Sequence, residues 1–162
     1  MAVGSNRDDI RQAEAELIRN VSSGVPGASY ALAGHYFAQN RISDALVTLN
    51  KFAAQGNPEA YLTAAKYCIS DNRMGPAEGY LRKAVEYRAP DAEVYLATFL
   101  AESKPAEAAE LFENYAGSEN VPTAYMDAAR CYLRAGRANR AHVVGRAAIA
   151  AGVQDLDNDL FG

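Results

Sequence analysis

A chain of 162 residues that is 49% apolar and 22% charged has the side chains for a packed core and is not a disordered polymer. Its net charge of −4 offers no attraction to a phosphate backbone, so a nucleic-acid partner is not expected. No apolar run approaches the ~20 residues of a bilayer span, and two cysteines, Cys68 and Cys131, are too few for a disulfide framework.

The polar start MAVGSNRDD has no apolar stretch of the kind a leader carries, so residues 1–7 are expected to be disordered and the chain cytoplasmic. A periplasmic or secreted location follows instead if a native leader is missing from this sequence. Residues 8–26 hold Ala13-x3-Leu17 ahead of Pro26, the spacing of a second helix without its first, and are predicted to cap an array. Four segments then repeat one design. Each opens with a large residue, a small pair and a large residue: Tyr30-x2-Ala33-Gly34-x2-Phe37, Tyr61-x2-Ala64-Ala65-x2-Cys68, Glu93-x2-Leu96-Ala97-x2-Leu100 and Tyr125-x2-Ala128-Ala129-x2-Tyr132. A connector follows, made of a turn former, a cation, three variable residues and alanine: NRISDA (40–45), NRMGPA (72–77), SKPAEA (103–108) and GRANRA (136–141). A second helix is then marked by Ala45-x3-Leu49, Ala77-x3-Leu81, Ala108-x3-Phe112 and Ala141-x3-Gly145, with prolines at 58, 90 and 122 closing the first three segments. Residues 28–58, 59–90, 91–122 and 123–152 are therefore predicted as four helix pairs, nine helices with the cap, in one all-α domain of residues 8–152.

The spacings have a physical cause. Positions three and four apart share a helix face, and alanine or glycine at Gly34, Ala65, Ala97 and Ala129 lets two helices approach closely. Asn40 and Asn72 suit a left-handed turn, and Arg41 and Arg73 follow the end of a helix, where a cation is favoured. Proline has no amide proton and disfavours helix in the residue before it, so it ends one pair and admits the next.

The pattern resembles the tetratricopeptide repeat (TPR) family over about residues 28–152. The resemblance implies a right-handed α-solenoid whose first helices line a concave groove. The small residues Gly34, Ala65, Ala97 and Ala129 recur at 31, 32 and 32 residues, below the usual ~34, and Glu93 stands where the first aromatic belongs, so the repeats are degenerate. Solenoids close with a polar outer face, but Ala141–Ala151 is alanine-rich. Leu156, Leu160 and Phe161 of the acidic tail 153–162 are expected to cover it, unless a partner or a longer array does.

Chemistry-bearing motifs are few. The chain has no Gly-rich phosphate loop, no HExxH, no nucleophile elbow and no Cys/His cluster, and no catalysis, cofactor or metal is expected. His35 and His142 are expected to be structural or solvated, His35 on an exposed face. Cys68 and Cys131 fall on or beside the packing stripes, two repeats apart. At roughly 10 Å per helix layer they are beyond the reach of a disulfide. Asp155-Leu-Asp157-Asn-Asp159 imitates a calcium loop, but Leu160 occupies the glycine position and no bidentate glutamate follows.

Carried over by the resemblance, the groove falls to Ala28, Ala31, His35, Ala38 and Gln39 in the first repeat and Glu59, Leu62, Lys66, Ile69 and Ser70 in the second. The third supplies Asp91, Val94, Thr98, Ala101 and Glu102, the fourth Thr123, Met126, Arg130, Leu133 and Arg134. Ala31, Leu62, Val94 and Met126 would form an apolar floor, with cations at Lys66, Arg130 and Arg134. Such a groove suits a protein or peptide segment with apolar anchors and acidic residues. The lysine–asparagine clamp for chaperone C-termini is absent at these positions. The expected function is a non-catalytic protein-interaction module. The alternative is a structural or oligomerising subunit that uses its C-terminal end, as a homo-oligomer or within a larger complex.

Overall fold

A computed structural model of the chain describes residues 3–153. The calcium-loop-like Asp155–Asp159 and the tail residues Leu156, Leu160 and Phe161 lie outside the described residues. Among the described residues there are nine α-helices and no strand: α1 (Val3–Ser22), α2 (Ala28–Ala38), α3 (Ile42–Ala54), α4 (Glu59–Ser70), α5 (Met74–Glu86), α6 (Ala92–Leu100), α7 (Pro105–Ser118), α8 (Thr123–Arg134) and α9 (Ala138–Ala150). The chain divides into two compact halves, Met1–Pro90 and Asp91–Gly162, and within each half every helix packs on its neighbour in sequence.

The core is built from alanine. Ala33, Ala45, Ala64, Ala65, Ala77 and Ala84 are fully buried in the first half, and Ala97, Ala108, Ala109, Ala128, Ala129 and Ala148 in the second. Small side chains bring helix backbones together, while larger ones such as Leu49 and Leu100 supply most of the apolar area, each contributing about 1.5–3 kcal/mol on burial.

The buried positions correct the register of the first repeat. Leu32, Ala33 and Tyr36 are its buried stripe, whereas Tyr30, Gly34 and Phe37 are only half-buried. Ala33, and not Gly34, is thus the equivalent of Ala65, Ala97 and Ala129, and the step is 32 residues throughout (65 from 33, 97 from 65, 129 from 97). The prolines keep the same step, at 26, 58, 90 and 122, each followed two residues later by a buried alanine: Ala28, Ala60, Ala92 and Ala124. A second periodicity of two repeats lies over the first. Ser29 and Glu93 stand where Tyr61 and Tyr125 stand, and Leu32 and Leu96 where Ala64 and Ala128 stand. Gly27 and Asp91, in left-handed conformation at φ 77° and 56°, open α2 and α6, whereas right-handed Pro58 and Pro122 open α4 and α8.

Three of the four connectors share one backbone. Asn40, Asn72 and Gly136 take φ of 60°, 58° and 72° just beyond α2, α4 and α8. In the first, the Arg41 amide donates to the Tyr36 carbonyl at 2.9 Å and the Asn40 amide to that of Phe37 at 2.9 Å. Arg73 to Cys68 and Asn72 to Ile69, then Arg137 to Tyr132 and Gly136 to Leu133, repeat the pair. This is the Schellman closure, which satisfies the last carbonyls of a helix. The third connector departs from the shared template: α6 has only nine residues, Ala101 stays right-handed at φ −55°, and Pro105 opens α7 directly. Arg41, Arg73, Lys104 and Arg137 are N-cap residues of the following helices, where the dipole disfavours a cation. Carboxylates answer the three arginines: Arg41 bonds Glu14 of α1 and Asp44, each at 2.7 Å, Arg73 bonds Asp71 at 2.5 Å, and Arg137 bonds Glu110 of α7 at 3.2 Å.

The two end helices differ from expectation in detail. α1 starts at Val3 and not at residue 8, and from residue 7 onward none of its side chains is fully buried. Ala13 is exposed, and the half-buried stripe is Ile10, Glu14, Leu17 and Val21. A stripe interrupted by a glutamate explains the shallow seating. α9 buries Ala141, Val144, Gly145 and Ala148 but leaves Val143 58% and Ile149 44% exposed.

Candidate functional site

In the first half, α2 and α4 carry the expected groove residues. His35 is half-buried, not exposed, and the Gln39 amide lies 2.7 Å from its Nε2. With the register corrected, the positions equivalent to Leu62, Lys66 and Ile69 are Tyr30, Gly34 and Phe37, so His35 and Gln39 sit one residue off that face. Tyr67 fills the space between the two helices. Its ring stacks on Phe37 with centroids 4.2 Å apart and planes at 15°, and a Cβ on Gly34 would stand 3.5 Å from its hydroxyl. Burial pushes the Tyr67 hydroxyl above its ordinary pKa. Glu59, Lys66 and Ile69 are exposed, but Leu62, at 8%, belongs to the core and leaves the candidate face.

The second half is different. Between α6, α7 and α8 lies a pocket of about 330 Å³. Phe112 of α7 and Cys131 of α8, both buried, line its inner side. Val94, Thr98 and Ala101 line it from α6, and Asp127, Arg130 and Arg134 from α8. Five residues of the expected groove, Val94, Thr98, Ala101, Arg130 and Arg134, thus converge on one cavity. The Thr98 hydroxyl is spent on its own helix, donating to the Val94 carbonyl at 2.7 Å. Arg130 reaches Asp127 at 3.2 Å, while Arg134 is exposed and has no ion-pair partner among the described residues. Cys131 is a free thiol whose pKa is raised mainly by burial, with Arg134 opposing and Asp127 adding to the shift. A raised pKa favours the protonated thiol and slows, without abolishing, its reaction with thiol reagents. Glu102 and Leu133 are exposed but do not line the pocket, and Met126, at 4%, is a core residue and not part of the apolar floor. Phe112, Asp127 and Cys131 were not among the expected groove residues. For Cys131 the signal is a comparison two repeats apart: it stands at the position of Tyr67, as Ala101 stands at that of Phe37.

Other cavities offer less. A cleft of about 290 Å³ among α1, α2 and α3 is lined by Val21, Leu32, Tyr36 and Phe52. A polar one between α7 and α9 is crossed by ion pairs, Arg140 to Glu113 at 2.6 Å and Arg137 to Glu110. Among the described residues no three His, Cys, Asp or Glu converge as a metal site would require, and no helix is long and apolar enough to cross a membrane.

Nine helices among the described residues, a leading helix and four degenerate pairs, with small residues at the crossings and Schellman closures in three of the four connectors, make this a TPR-like helical-repeat protein of the all-α solenoid class. Comparison of structures agrees. The crystal structure of MamA matches with a TM-score of 0.59 at 19% identity, covering 93% of this chain and 95% of that one. The crystal structure of YrrB, described as a TPR protein with an unusual peptide-binding site, matches with a TM-score of 0.57 at 19% identity, covering 91% of this chain and 80% of that one. At this identity the likeness concerns the fold. Neither a protein-family model nor a curated protein matches the sequence.

Proposed function

We propose that the chain is a protein-interaction module that catalyses nothing itself and holds a segment of a partner protein on the α6–α8 face. The observation that carries this reading is the pocket at which Val94, Thr98, Arg130 and Arg134 meet, with an apolar interior and two guanidinium groups at its margin. Concave apolar sites with a few placed polar groups are where ligands bind, and an Arg can pair a carboxylate with two parallel hydrogen bonds. The peptide-binding site of YrrB, on a similar fold, supports the same class of function.

The test uses a phage library of random dodecapeptides panned on the full chain. Clones that bind wild type are expected to lose at least tenfold in affinity for the Arg130→Glu/Arg134→Glu variant, with helicity by circular dichroism unchanged. A library that yields no binder, or binders indifferent to the charge reversal, removes the pocket from the function. Both arginines are exposed, so their reversal leaves the core intact.

A further inference from the structure

The two-repeat periodicity makes the first half a reference for the second. At the α2–α4 position the chain fills its own space with two aromatic rings, Phe37 and Tyr67, stacked 4.2 Å apart at 15°. At the α6–α8 position the equivalent residues are Ala101 and Cys131, and both line the pocket of about 330 Å³. Two rings are missing there, and the cavity stands among the residues equivalent to those that hold them. The interior is closed by Phe112, while Arg134 stands at the margin without an ion-pair partner among the described residues.

Resting on the protein-interaction reading, we propose that this pocket is an aromatic-anchor site: it takes a Phe or Tyr side chain of the partner into the space that Phe37 and Tyr67 fill in the first half, with an acidic residue beside the anchor paired to Arg134. Three features carry the assignment. The alternating sequence makes the cavity a deficit of ring volume relative to the chain's own filled copy. A ring inserted beside Phe112 gains the face or edge contact that aromatic pairs prefer, and buried aromatic anchors in pockets are the residues that dominate protein interfaces. Two guanidiniums against one carboxylate, Asp127, leave a net positive margin that complements a carboxylate and disfavours a basic neighbour.

Sequencing the wild-type-selected dodecapeptides gives the first readout. The expected consensus is one Phe or Tyr with Asp or Glu within two or three residues. A consensus that is aliphatic, or aromatic with basic neighbours, overturns the aromatic–acidic assignment while leaving the interaction module standing, provided the arginine reversal still abolishes binding. The second readout fills the pocket from within. Gly34 gives the Tyr67 hydroxyl room, but Thr98 stands at that position in the second half, so Cys131→Phe, without the hydroxyl, is the filling variant. It is expected to lower the affinity of a selected peptide at least tenfold, and a peptide with its anchor changed to Ala is expected to lose affinity to the same degree for wild type. Retained affinity in Cys131→Phe overturns the proposal. Should that variant fold poorly, the rate at which methyl methanethiosulfonate modifies Cys131 replaces it. Saturating peptide is expected to slow modification at least fivefold, Cys68 serving as the internal control in the first half, and an unchanged Cys131 rate overturns the proposal equally.

Discussion

Arg88 follows α5 in left-handed conformation at φ 56°, and its amide and that of Ala89 close the helix on the Val85 and Ala84 carbonyls at 3.0 and 2.8 Å. The other Schellman closures put asparagine or glycine in that seat, because a Cβ in the left-handed region meets the following carbonyl oxygen. Arginine there is strained for no visible gain, since its side chain is exposed. Arg88→Gly is expected to stabilise the chain by about 1 kcal/mol, net of the extra freedom glycine gives the unfolded state. Thermal denaturation should show this as a rise in Tm of about 2–4 °C. A fall in Tm would mean that the arginine side chain contributes more than its backbone strain costs. Asn40 and Asn72 show the opposite economy: a residue type tolerant of this conformation was placed at the turn, and its role was readable from the amino acids alone.

Element by element, legibility varied with how local the signal was. Helix count and the small-residue crossings are fixed by contacts three and four residues apart, and the nine helices follow from them. In the first repeat Tyr30-x2-Ala33-Gly34-x2-Phe37 imitates the packing stripe of its neighbours and displaces the apparent register by one residue. Burial shows the true stripe to be Leu32, Ala33 and Tyr36. The prolines at 26, 58, 90 and 122 held the correct register, since a helix start is set by backbone chemistry and is less easily imitated than an apolar face. Of the candidate site, Val94, Thr98, Ala101, Arg130 and Arg134 follow from the register of the later repeats. The pocket itself was hidden, because it arises from small side chains at Ala101 and Cys131 and becomes visible only against Phe37 and Tyr67. α1 shows how a correct element can have a wrong face. Ala13 suggested a close crossing, yet the helix rests on Ile10, Leu17 and Val21 with Glu14 among them, and it buries none of them fully. Few buried apolar contacts mean a low free energy of local opening. Amides of α1 are therefore expected to exchange at least tenfold faster than those of α4, measured by hydrogen–deuterium exchange with mass spectrometry. Equal protection would show that α1 unfolds only with the rest of its half.

At the scale of the molecule, each half has its own core, with Leu49 fully buried in the first and Leu100 in the second. Stability in such arrays is close to a sum of repeat and nearest-neighbour contributions. Leu49→Ala is expected to cost about 2–5 kcal/mol in the first half. Exchange should accelerate over α2–α5 while α8 keeps its protection, whereas uniform acceleration would mean that the whole chain opens as one unit. The uniform 32-residue step has a consequence for inheritance. Every seam falls at the same point of the cassette, a proline followed two residues later by a buried alanine, so unequal crossing-over between repeats in the gene rejoins like with like. Gain or loss of a whole helix pair leaves each stop and start intact, and a step of two pairs also preserves the alternation that separates a filled interhelical space from an open one. A lineage can therefore multiply the open kind by duplication alone, without inventing a new surface.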